Sequence, residues 1–127
     1  CERLPGDGWD DYVKPFRTTE DLHVTAAIVG YLMRVGRLSG WGPAELEALT
    51  AFAAAIFPLC LVDPLDAAVH VAVGGIQRRL AALIESLPWN AVEPTVRTRF
   101  QRDLPIMRVA QGAGERRLRV AWRRLNG

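Results

Sequence analysis

The sequence predicts an all-α fold, a compact bundle of four to five helices preceded by an irregular N-terminal arm. Three observations predict it. Apolar residues recur at three- and four-residue spacing along most of the chain, and no useful stretch alternates with the period of two that a half-buried strand requires. Proline, glycine and acidic residues fall between the periodic segments, where helices stop and start. Half of the 127 residues are apolar and 24% are charged, a composition able to bury one core. The chain therefore divides into an arm over 1–17 and one helical domain over 18–127.

The arm opens on turn chemistry at Pro5-Gly6-Asp7-Gly8, and Pro15 interrupts the run that follows. Trp9, Tyr12, Val13 and Phe16 are spaced so that the arm lays its aromatics over a groove on the body or on a partner. Asp10-Asp11 reads as a solvated acidic pair. The first helix is expected to start at Thr18 or Thr19, where Thr18 and Asp21 form a variant of the capping box. Leu22, Ala26, Val29, Leu32 and Met33 make one apolar face, and Val24, Ile28 and Tyr31 a second. Arg34 and Arg37 suit its C-terminal dipole, and Ser39-Gly40-Trp41-Gly42 ends it.

Pro43 opens the second helix, with Glu45 and Glu47 in its first turn. From Leu49 to Phe57 it is apolar all round, which makes it either the central helix or one buried in an oligomer. Pro58 is expected to kink or end it. The charge-free stretch from Ala48 to Val62 is fifteen residues long and holds that proline, short of the roughly 20 that a membrane span needs. Cys60 in this stretch reads as a small buried hydrophobe. Asp63-Pro64-Leu65-Asp66 predicts the next start, with Asp63 as cap and Pro64 at the first position. The third helix presents Val69, Val73, Ile76, Leu80, Leu83, Ile84 and Leu87 to the core. Gly74-Gly75 within it predicts close helix packing in preference to a hinge. Asn90 is expected to cap a fourth helix bearing Val92, Val96 and Phe100. Pro105 starts a short one to Ala110, Gly112 and Gly114 break the chain, and Glu115–Leu125 forms the last. Leu118, Ala121, Trp122 and Leu125 share its apolar face, so Trp122 reads as a core anchor.

No catalytic motif emerges. His23 and His70 lack ligand spacing to each other or to a cysteine, Ser39 and Ser86 stand in no nucleophile elbow, and no glycine-rich loop precedes Lys-Ser/Thr. The chain is read as a non-enzyme with no cofactor and no metal; a small-ligand pocket between helices would leave no signature. Cys1 at the first position is read as an end made by processing or truncation, then as a lipid-bearing cysteine, and last as a nucleophile.

Charge is the main functional clue. Fifteen of the sixteen basic residues are arginine, a planar and permanently charged donor. Residues 1–94 carry a net charge of −5 and residues 95–127 one of +7. The positive third holds Arg97, Arg99, Arg102 and Arg108, then Arg116, Arg117, Arg119, Arg123 and Arg124. A solvated basic face is the plain account of such a run. Nucleic-acid binding is the favoured functional account, with arginines neutralising phosphates. The alternative is a protein–protein oligomerisation module. Acidic arms bearing Trp9, Tyr12 and Phe16 would meet the basic end of another copy, and Phe52, Ile56 and Phe57 would supply apolar contact. Membrane-surface contact by the last helix ranks below both, since its apolar face is small. An intracellular or virion-like assembly is the expected setting.

Overall fold

The computed structural model describes residues 4–127, and the side chains among them except those at 106–114 and 116. The described chain is an all-α bundle with no strand among the described residues. Its helices are α1 (Lys14–Ser39), α2 (Pro43–Leu59), α3 (Ala67–Ser86) and α4 (Pro94–Asn126). A wide helical turn at Gly8–Val13 leads into α1, and a 3-10 turn at Trp89–Ala91 links α3 to α4.

Helix α1 is the hub, packing on α2, on α3 and on the N-terminal turn, while α3 also packs on α2 and α4. Its buried residues are Thr18, Leu22, Thr25, Val29, Leu32, Val35 and Gly36. That four-three spacing makes one stripe, and the expected second face is only partly used: Ile28 packs on the core, Tyr31 is exposed but stacks on Phe100, and Val24 is exposed. The arm is shorter than expected. Asp7 caps the first turn by accepting N–H bonds from Trp9 and Asp10 at 2.9 and 2.8 Å. Pro15 then falls at the first positions of α1, where a missing N–H costs nothing, and helps to start the helix. Thr18 is consequently no cap. It sits inside α1, 2% exposed, with its hydroxyl 3.5 Å from His70 Nδ1 of α3.

Gly40 closes α1 in the left-handed conformation, φ +67°, and Pro43 opens α2 as the sequence predicts. Helix α2 lies at the edge and is not central. Leu49 and Ile56 are buried, Phe52 packs partly on the core, and Phe57 is exposed. The helix ends one residue after Pro58, and Cys60 beyond it is exposed, not buried. The start of α3 is also displaced. Asp63 accepts the Leu65 N–H at 2.9 Å in a local turn, and Asp66 is the cap, accepting from Ala68 at 2.8 Å. Two acids stand in this loop, and the later one has the extended backbone a cap needs.

Val69, Val73, Leu80, Ile84 and Leu87 of the third segment are buried as expected, as is Phe100 of α4. A Cβ on Gly74 would lie 3.1 Å from Leu118, so this glycine admits α4 closely; Gly75 meets nothing within 4 Å. Trp41, Trp89 and Phe100 seal one end, with Trp41 edge-on to Trp89 at 5.7 Å and Trp89 stacked on Phe100 at 4.6 Å. The cap of α4 is Glu93, which accepts from Thr95 at 3.0 Å and Val96 at 3.1 Å; Asn90 lies in the preceding 3-10 turn. Helix α4 then runs unbroken through Pro105 to Asn126, one helix where the sequence suggested three segments. Burial near both ends, with Phe100 stacked on Trp89 and Leu118 set against Gly74 of α3, overrides the local breakers.

By length and composition, α3 is the one described helix that could cross a membrane. Its Gln77, Arg78 and Arg79 interrupt the apolar run, and its core face is used within the bundle.

Candidate functional site

The last turns of α4 sort the arginines onto different faces. Leu118 and Ala121 turn toward α3, where Ala121 is buried. Arg117, Val120 and Arg124 occupy the next face and line a cleft. Arg119 and Arg123, four residues apart and both exposed, lie on the side away from Leu118 and Ala121. Trp122 stands between these faces with 45% of its surface exposed, so it is not the core anchor its spacing suggests. A helix has only one stripe against a single neighbour, and here Leu118 and Ala121 fill it.

Arg117 is the tether. Its Nη2 donates to Asp21 of α1 across 96 residues of sequence. Both side chains are largely buried, and burial raises the Asp21 pKa in spite of the arginine's opposing attraction. Arg117 Nη1 is buried and has no hydrogen-bond partner among the described residues. Nearby, burial holds the His70 imidazole below its usual value, and the positive Arg117 and Arg124 push it further down.

The first half of α4 contributes less. Arg102 is exposed but engages its neighbour Asp103 at 2.8 Å, while Arg97 is half-buried and Arg99 is exposed. Arg108 and Arg116 lie outside the described side chains. Among the described residues no acid pairs with Arg119, Arg123 or Arg124. The exposed side chains therefore form a basic outer face at Arg119 and Arg123, flanked by an accessible indole.

The expected partner-binding aromatics divide. Trp9 reaches the cleft, with the Arg17 guanidinium 5.8 Å from its ring centroid. Tyr12 is tied to the arm itself, donating its hydroxyl to the Pro5 carbonyl at 2.8 Å, and Phe16 faces outward. Asp10 and Asp11 are less free than expected: Asp10 pairs with Lys14, and Asp11 accepts the Asp7 N–H at 2.7 Å. Phe52 and Ile56 face the core, which leaves Phe57 alone of that trio exposed. Lys14, Arg17 and His70 were not singled out for binding from the sequence. Lys14 and Arg17 stand one turn apart on α1 and His70 stands on α3, so only the fold brings the two helices' residues together at the cleft.

Comparison with family models, with curated proteins and with solved structures finds no match to this chain.

Proposed function

We propose that this chain is a non-catalytic helical module that binds nucleic acid through the arginine-rich end of α4. The observation that carries the reading is the outer face of that helix, where Arg119 and Arg123 project without acidic partners among the described residues and Trp122 is accessible beside them. Guanidinium groups one turn apart suit phosphate oxygens, and an accessible indole suits an unpaired base. Single-stranded nucleic acid fits better than a duplex groove, because stacking needs a base outside its pair.

A second reading has its own observation. At the end of α2, Phe57 is 69% exposed and Leu61 is 74% exposed, with Val62 and Leu65 following in the loop. Apolar side chains gathered this way mark a surface where another protein, or another copy, would bind. Gel filtration coupled to light scattering, with and without a 12-nucleotide single strand, separates the two. The nucleic-acid reading expects a mass increase with the oligonucleotide at low salt that Arg119→Ala/Arg123→Ala abolishes. Oligomers that ignore the oligonucleotide and dissociate on Phe57→Asp would replace it with the self-association reading.

A further inference from the structure

The inner face of α4 borders a cleft of about 500 Å³, large enough for a small ligand. Three segments build it: Trp9, Lys14 and Arg17 from the N-terminal turn and α1, Leu65 and His70 around the start of α3, and Arg117, Val120 and Arg124 from α4. Its surface has two characters. Trp9, Leu65 and Val120 are apolar, whereas Lys14, Arg17, Arg117 and Arg124 are cationic. Asp10 also borders the cleft, but it is neutralised locally by Lys14, and the Asp21 carboxylate behind Arg117 is held by that arginine. A surplus of positive charge remains. Arg117 is fixed at the cleft wall by its bond to Asp21, with its other terminal nitrogen closed off from solvent, so its permanent charge bears on the cleft from a held position.

We infer that this cleft binds a single nucleotide unit, its base against Trp9 and the apolar wall and its phosphate on Arg17, Arg117 and Arg124. The inference rests on the nucleic-acid reading for the kind of ligand, and it adds a second site on the neighbouring face of α4, about 100° round the helix from Arg119 and Arg123. A nucleotide matches both characters of the cleft. A planar ring needs an aromatic or apolar wall, and a phosphate dianion needs forked donors.

Isothermal titration with AMP, adenosine and inorganic phosphate tests it, using the full chain and three variants. Trp9 and Arg124 are exposed, so Trp9→Ala and Arg124→Gln leave the core unchanged, which circular dichroism verifies. AMP should bind at least tenfold more tightly than adenosine or phosphate alone. Each cleft variant should weaken AMP about tenfold or more, and Arg119→Ala/Arg123→Ala should leave it within twofold. Binding of AMP with these properties but no binding of the 12-mer would keep the nucleotide site and remove the polymer reading. Binding of the 12-mer without AMP binding, and unaffected by Trp9→Ala, would overturn the cleft inference and leave the outer face standing. Phosphate alone matching AMP would overturn the base position.

Discussion

At the residue scale, close approach decides which glycines can be replaced. A Cβ on Gly36 would meet Trp41 at 2.6 Å and Leu46 at 3.1 Å, in a buried part of α1. Gly36→Ala should destabilise the protein by about 1–3 kcal/mol, because overpacking outweighs the gain in helix propensity. Gly30 meets nothing within 4 Å on the exposed side of the same helix, and Gly30→Ala should stabilise by about 0.5–1 kcal/mol. Chemical denaturation of the two variants checks both signs. The sequence makes such glycines visible but not their neighbours, which come from elsewhere in the fold. Thr18 shows the same limit. As a sequence it resembles a cap, yet its place is set by Asp7 and Pro15 upstream, which start the helix early and carry Thr18 onto the buried stripe. Trp122 failed in the opposite direction. Its spacing matches Leu118 and Ala121, but the shared face is wider than the one neighbour that covers it.

At the element scale, the bodies of α1, α2 and α3 were legible, while several boundaries, the helical turn in the arm and the continuity of α4 were not. Pro43 and Gly40 marked their boundaries correctly, because a proline at the first position and a left-handed glycine act through local backbone chemistry alone. The starts of α3 and α4 moved by a few residues, each to an acid that the fold places with extended backbone or within reach of the first N–H groups. Glu93→Ala should lower the melting temperature, whereas Asn90→Ala should leave it close to unchanged, measured by thermal unfolding. Pro105 was the larger misreading. An interior proline removes a helix hydrogen bond and opposes the preceding turn, yet α4 continues through it. Pro105 is exposed, so Pro105→Ala should raise stability by about 1–3 kcal/mol. A loss of stability in that variant would mean that the proline contributes packing of its own.

At the scale of the whole molecule, the charge asymmetry was legible and its arrangement was not. Nine arginines in the last 33 residues are evident by counting. The division between an outer face at Arg119 and Arg123 and an inner cleft at Arg117 and Arg124 depends on which side of α4 meets α3. The same packing sets the response to acid. His70 has a folded pKa below the 6.5 of a free imidazole, so the unfolded chain takes up this proton first. Its contribution to stability should be complete above about pH 6.5 and fall as pH drops from there through the depressed value. Asp21 acts in the other sense: its folded pKa lies above 3.8, so its stability term falls as pH rises through that window. Unfolding followed between pH 7 and 5 should therefore show a loss that His70→Gln largely removes. A loss of the same size in His70→Gln would assign the acid sensitivity to other groups.

The central claim is that the end of α4 holds nucleic acid by its phosphates. Its most direct test is the affinity for a fluorescent 12-nucleotide single strand measured by anisotropy from about 50 to 200 mM salt. Each phosphate neutralised on a single strand contributes about 0.7 to the slope of log affinity against log salt. The wild-type chain should bind with a slope of about −2 or steeper, and Arg119→Ala/Arg123→Ala should lower the affinity and flatten that slope by about 1.4. Absence of binding at low salt, or binding whose salt slope is unchanged by the double substitution, would contradict the claim.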